Sequence, residues 1–390
     1  MIEEHKNSRI YELDALRAFG FLFVVAQHVF GGFAHRPEID TGQALILSLI
    51  YVIAKPAVPI FMVLLGLNLF LYSKYKKPDF KEFYKKKIKK LFIPYIIWSV
   101  MIIILDGEYE KFNHIIGNII TGNTQYHLWY MGMLMRVILF FPLIWVFFND
   151  MYARSKLTRR VLFALFVVTF WAINNSNDAI TVSVTNFIFD HPSKLQERFI
   201  GISPILWSLY LVIGVKIAYE YDEFIALIDK LKWYVIGVYP LLLAYNYYDE
   251  VKSRIGVQES DLVKDVIGYS HSALKVAFMV ISILVFYIVS SYVYSSLPKA
   301  YKALQHISNY SYAGYLVHAY LLQVAAAPPI IRYGMPCSIP LDIAIYVVTI
   351  LLSIELIHII SYLPYSHLLT GSKRVILSLP GMILTKPIIK

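Results

Sequence analysis

The fold class this sequence predicts is an all-α, polytopic membrane protein, and two observations predict it. Of 390 residues, 58% are hydrophobic and only 16% are charged, with mean hydropathy +0.58, a balance foreign to soluble globular domains. Apolar stretches of bilayer length also recur along the chain, separated by short segments that hold most of the Lys and Arg. A formal net charge of +10 spread over a soluble domain would suggest nucleic acid. Confined to connections it is the positive-inside pattern instead, so no nucleic-acid partner is expected. The single cysteine, Cys337, excludes an intramolecular disulfide framework and a multi-cysteine metal site.

Ten spans are expected, at about 15–33, 50–72, 91–106, 127–148, 161–175, 199–219, 233–248, 271–294, 309–331 and 341–362, forming one integral-membrane domain over 1–390. Lys and Arg show an excess of about threefold on the side shared by the N-terminus and the C-terminus, which predicts N-in, C-in orientation. The first span, within 11–33, carries Arg17 and His28 in a run otherwise fit for lipid. Eleven residues correspond to three helical turns plus roughly 20°, so both project from one face, about 16 Å apart along the axis. That puts the guanidinium near one membrane surface and the imidazole near mid-bilayer, where an ionisable group marks function unless a neighbouring helix simply satisfies it. The stretch is too long for a cleavable signal and lacks a small-residue cleavage pattern, so it reads as a retained signal anchor.

The second span is interrupted by Lys55 and Pro56 within an apolar stretch that begins near Ala44. The connection 73–95 holds nine lysines, among them Lys85, Lys86, Lys87, Lys89 and Lys90, and ends at Pro94. Such a cluster holds topology and touches anionic headgroups, at about 1 kcal/mol per charge; it also suits a polyphosphate ligand at the cytoplasmic mouth. The fourth span opens on His127, Leu128, Trp129 and Tyr130, with Arg136 nine residues further in. Trp129 and Tyr130 fit an interfacial aromatic belt, whereas Arg136 is too deep to snorkel and needs a carboxylate, carbonyl or ligand. The fifth and seventh spans are short for a bilayer about 30 Å thick and are expected inside the bundle. The connections 107–126, 174–198 and 249–270 are long enough to cover a cavity but not to form an enzyme of their own.

His318 sits centrally in the ninth span, where a plain interhelical hydrogen bond competes with a functional role. Glu355 and His358, three apart in the tenth, share a helix face. An E-x-x-H pair ligates metal when partner helices add ligands, but intramembrane carboxylates are scarce here. The expectation is therefore a buried pair or a counter-ion for Arg136, with no metal. Walker-type, dinucleotide-binding and H-E-x-x-H motifs are absent, which leaves ATP-driven transport unsupported.

Together these residues resemble the acyltransferase-3 family of bacterial polytopic membrane proteins. Leu13, Asp14, Leu16, Arg17 and His28 match a first-span pattern similar to LDxLRxxAxxxVxxxH. The lysine run before Pro94 resembles the family's basic segment, with lysines standing where arginines are usual, so the charge is kept and bidentate phosphate contacts are not. His127, Leu128 and Trp129 resemble its HLW-type segment, and Ser311, Tyr315, Leu316 and His318 its S-x-Y-L-x-H-like stretch. One departure is clear: where the family reads FFxxSGF, this chain has Leu65 at the serine position and retains Gly66.

The resemblance implies transfer of an acyl group, usually acetyl and sometimes succinyl, from cytoplasmic acyl-CoA to a hydroxyl of a surface glycan or polysaccharide, in the bacterial cytoplasmic membrane. Acyl-CoA, the glycan acceptor and the bilayer are the implied partners, with a polysaccharide synthase and self-association as further candidates. His28 is the candidate general base, since a neutral imidazole can take the proton of a weakly nucleophilic hydroxyl. Asp14 would orient Arg17; Arg17 with Lys85, Lys86, Lys87, Lys89 and Lys90 would hold CoA phosphates. His127, Trp129, Arg136 and His318 would face the acceptor or the oxyanion. An acyl-histidine relay fits the same residues. The rival class is a transporter or flippase for a glycan or lipid-linked sugar, with topological basic loops and buried charges along its path.

Overall fold

The computed structural model describes residues 10–34, 39–71, 73–74, 76–255 and 273–375, and among these it contains helices and no strand. Seven helical segments are long and apolar enough to cross a membrane, or eight if a bent pair counts as one span. The first is α1 (Glu12–Ala34), whose opening turn carries Glu12 and Asp14, acids that suit the positive end of the helix dipole. It is the organising element. Of its apolar window 67% is buried, the largest share among the candidate spans, and it packs on five other helices.

Lys55 and Pro56 divide the second span into α2 (Thr41–Ala54) and α3 (Ala57–Phe70), which together form a 30-residue candidate span beginning well before the expected position 50. Lys55 is paired with Glu250 at 2.5 Å, so the lysine inside this span is neutralised. The third span likewise starts early. Asp79 caps α4 (Phe80–Lys87), accepting hydrogen bonds from the backbone N–H groups of Lys81 and Glu82. A π-turn over Ile88–Phe92 then leads into α5 (Ile93–Asp106). Pro94 explains the turn: without an N–H it cannot close the ordinary bond to Lys90, and the helix widens to Ile93 N–H bonding Ile88 O.

After a 3₁₀ turn and α6 (Ile115–Ile120), the chain forms α7 (Trp129–Leu139) and α8 (Phe141–Ala153), bent by 60° at Phe140, two residues before Pro142. Next come α9 (Lys156–Asn175), α10 (Asn177–Ile188), α11 (Lys194–Gly201) and α12 (Ser208–Tyr219). The expectation that the fifth and seventh spans pack inside the bundle is corrected. Only 11% of the α9 window is buried, and Trp233, Tyr234 and Leu241 of α13 (Tyr221–Ile255) are exposed. Both helices run on past their apolar stretches, so length does not force them inward, and their exposed apolar faces suit lipid.

Three long helices complete the bundle: α14 (Ala273–Ser296), α15 (Pro298–Ala327) and α16 (Ile339–Ile360), followed by the short α17 (His367–Thr370). Helix α13 and most of α15 carry the expected seventh and ninth spans but are not counted among the apolar candidates; polar Asn309, Tyr and His residues break up the apolar run of α15. The apolar core forms two main groups, one centred on α3, α12 and α14, the other on α5, α15 and α16, and α1 contributes to both. Much of the connection 249–270 lies outside the described residues.

Candidate active site

A cavity of about 580 Å³ runs beside α1 and is lined by Arg17, His28, Gly31 and Gly32 of that helix. Arg17 and Gly32 are fifteen residues apart, about 22 Å of helix. The cavity therefore follows nearly the whole length of the first span, with His28 toward the end opposite Arg17. The shared face inferred from the spacing of Arg17 and His28 is the face that lines it.

At one end, Arg17 is held by Asp14 three residues earlier, Nη1 to Oδ1 at 3.1 Å, and donates to Ser308 of α15 at 3.2 Å. Asp14 is buried and also accepts from Tyr301 at 3.5 Å. It fixes the guanidinium rather than lining the cavity. Ser311 and Tyr312 of α15 line the wall beyond, and the Tyr312 hydroxyl donates to the carbonyl of Leu91 in the π-turn. Tyr312 thereby connects the cavity to the basic segment. Lys85, Lys86, Lys89 and Lys90 are exposed and Lys87 is half-buried against Phe83; all five lie on the flank of the bundle rather than in the cavity itself.

Further along, three histidines from three helical segments meet. The His28 ring lies 5.3 Å from that of His318 and 6.2 Å from that of His127, and His127 and His318 are 4.6 Å apart. Tyr315 organises the group. Its carbonyl stands 3.1 Å from His127 Nε2 and 2.6 Å from His318 Nδ1, and its hydroxyl donates to the His127 carbonyl at 2.5 Å. A carbonyl only accepts, so both rings donate to it, which leaves His127 Nδ1 and His318 Nε2 as lone-pair nitrogens. Neither has a hydrogen-bond partner among the described residues. His28 and His127 line the cavity, whereas His318 is fully buried behind them.

The wall facing His28 comes from the connections. Arg198 donates Nε to the carbonyl of Thr121 at 3.1 Å and Nη2 to those of Gly122 and Tyr126 at 3.2 and 3.3 Å, pinning the turn that carries His127. Gly122 has φ 61°, and a Cβ there would lie 2.0 Å from the Leu128 carbonyl, so this turn requires glycine. Tyr126, Asn174, Asn177 and Arg198 line the cavity, so the connections 107–126 and 174–198 do cover it. Trp129 packs on Trp207 at 5.4 Å, and both line the cavity, as does Tyr130. Trp129 and Tyr130 thus face the cavity, as the resemblance implied for Trp129.

Arg136 has a carbonyl partner, one of those expected of it, but away from the cavity. It donates to the Phe199 carbonyl at 2.5 Å, with its guanidinium 3.7 Å over the Phe199 ring, because the start of the sixth span passes directly over it. Glu355 is accordingly not its counter-ion but pairs with His306 and His358. Leu65, at the serine position of the FFxxSGF pattern, is half-buried among apolar groups, while Phe61 of the same segment lines the cavity.

The sequence from 10 to 361 matches the family described as Acyltransferase domain, Acyl_transf_3. The chain belongs to this acyltransferase-3 family. A curated relative, named "Putative membrane-bound acyltransferase YfiQ", from Bacillus subtilis (strain 168), is 24% identical over 257 residues, covering 62% of this chain and 61% of the relative. The match thus spans less than two thirds of that protein. No solved structure matches. The chain is thus a multi-pass membrane member of the acyltransferase-3 family, and its cavity offers an Arg-lined end, an imidazole centre and an aromatic, amide-bearing wall.

Proposed function

We propose that this protein is an O-acyltransferase that moves an acetyl group from cytoplasmic acetyl-CoA to a hydroxyl of a cell-surface polysaccharide. The observation that carries this reading is the single cavity lined by both Arg17 and His28 in a chain of the acyltransferase-3 family. With the N-terminus cytoplasmic, as the distribution of Lys and Arg argues, the Arg17 end opens toward the donor. Arg17 and the lysines beside Tyr312 then offer positive charge to the CoA phosphates. Trp129, Trp207 and Tyr130 present flat apolar surfaces to sugar rings, and Asn174 and Asn177 present amides to hydroxyls, the mixed lining a ligand pocket requires.

In the reaction, neutral His28 takes the proton of the acceptor hydroxyl as its oxygen attacks the thioester carbonyl. The new C–O bond forms, the C–S bond breaks, and the departing CoA thiolate receives the proton, so products are an ester and a thiol. A positioned base of this kind contributes about 10²- to 10⁴-fold. The test uses purified protein in liposomes with labelled acetyl-CoA and oligosaccharide acceptor. Wild type should place label on the glycan, and His28→Ala should lower that rate by about 10²-fold or more with expression and elution profile intact. Glycan crossing the bilayer at wild-type rate in the variant, with no acyl-dependent product in either protein, would make the chain a transporter instead.

A further inference from the structure

We propose that His306, Glu355 and His358 form a binding site for a divalent transition-metal ion of the zinc type, clamping α15 to α16 apart from the cavity. Glu355 and His358 lie in the last turns of α16, and His306 lies eight residues into α15. His306 Nε2 stands 2.8 Å from Glu355 Oε1, and His358 Nδ1 stands 3.0 Å from Oε2. The three ligand atoms all lie within 4.8 Å of one another. Tetrahedral zinc, with bonds of about 2.0–2.2 Å, holds its ligand atoms roughly 3.4 Å apart, so these separations bracket the required spacing. Two imidazoles and one carboxylate suit zinc and its neighbours, whereas magnesium and calcium demand more oxygens.

The surroundings supply what such a site needs beyond its ligands. The Tyr362 hydroxyl lies 3.0 Å from His358 Nε2; accepting a hydrogen bond from Nε2–H leaves the Nδ1 lone pair for the ion, the orienting role of an outer partner. Tyr310 stands 5.1 Å from the His306 ring and 5.0 Å from the His358 ring and restricts their rotation. Glu355 is 48% exposed, so an ion can enter from outside the bundle and a water can complete the fourth position. None of the three lines the cavity. The ion would act by fixing α15, the helix that presents Tyr312, Tyr315 and His318, against α16.

The test uses full-length protein purified through a tag without histidine and stripped with chelator. Wild type should bind one Zn²⁺ per chain, show the visible absorption of four-coordinate cobalt when loaded with Co²⁺, and gain thermal stability with Zn²⁺ but not with Mg²⁺. His306→Ala and His358→Ala should each weaken Zn²⁺ binding at least about tenfold, and Tyr362→Phe about tenfold. A readout that needs no variant is protection from diethyl pyrocarbonate, followed by peptide mass spectrometry: Zn²⁺ should shield His306 and His358 and leave exposed His114 unprotected. No saturable binding, equal affinity in the His306→Ala/His358→Ala double variant, or absence of selective shielding would overturn the proposal.

Discussion

His28 owes its position to what it lacks. Among the described residues its ring makes aromatic contacts with Tyr126, His127 and His318, while the hydrogen bonds that fix the cluster are made by its neighbours through the Tyr315 carbonyl. On the proposed mechanism His318 would be a positioning residue, since it packs against His28 and does not line the cavity. His318→Ala should lower kcat by about tenfold to a hundredfold, less than His28→Ala, and leave both KM values near wild type, because substrate touches the cavity wall and not the ring behind it. An equal loss in both variants, or a rise in acceptor KM alone, would instead assign His318 a direct role. At the same scale, Asp14 illustrates how a buried carboxylate can serve a site without entering it, through the guanidinium of Arg17.

At the scale of the element, α3 and α12 approach backbone to backbone. A Cβ on Gly66 would lie 2.2 Å from the Leu211 carbonyl, and one on Gly214 would lie 2.1 Å from the Val63 carbonyl. Both obstacles are backbone and neither can rotate away, the small-residue contact by which membrane helices approach closely. Gly66→Ala and Gly214→Ala should each destabilise by about 1–3 kcal/mol or more, read as a lowered thermal unfolding midpoint in detergent. The basic segment is a second element with a separable prediction. Neutralising Lys85, Lys89 and Lys90 to Gln should raise KM for acetyl-CoA several-fold while the acceptor KM stays put. Unchanged kinetics with altered membrane orientation would leave the lysines a purely topological role.

For the whole molecule, orientation decides which side holds which end of the cavity, and the single cysteine reads it without engineering. Cys337 lies between α15 and α16, partly exposed, on the outer side if both termini are cytoplasmic. A membrane-impermeant maleimide should label it in intact cells, and permeabilisation should add little. Labelling that requires permeabilisation would invert the orientation and with it the assignment of donor and acceptor ends. The architecture makes that assignment consequential, because the cavity follows one helix for most of its length and the other helices are arranged around that helix.

The helical class, the recurrence of apolar helices long enough to cross a membrane, seven or eight among the described residues, and the pairing of Arg17 with His28 on one face were legible in the sequence, because apolar length and helical periodicity are local properties. Span boundaries were less so: the second and third helices begin early because capping by Asp40 and Asp79 extends them beyond the lipid-like stretch. What only the tertiary structure decided is which distant side chains meet. His127 and His318 join His28 because both donate to one carbonyl, on Tyr315; Arg136 leaves the site because Phe199 covers it; His306 joins Glu355 and His358 from another helix. No sequence spacing encodes those meetings, since each depends on how separate helices pack. The local sequence settles what each helix presents, and the packing around α1 settles what it is presented to.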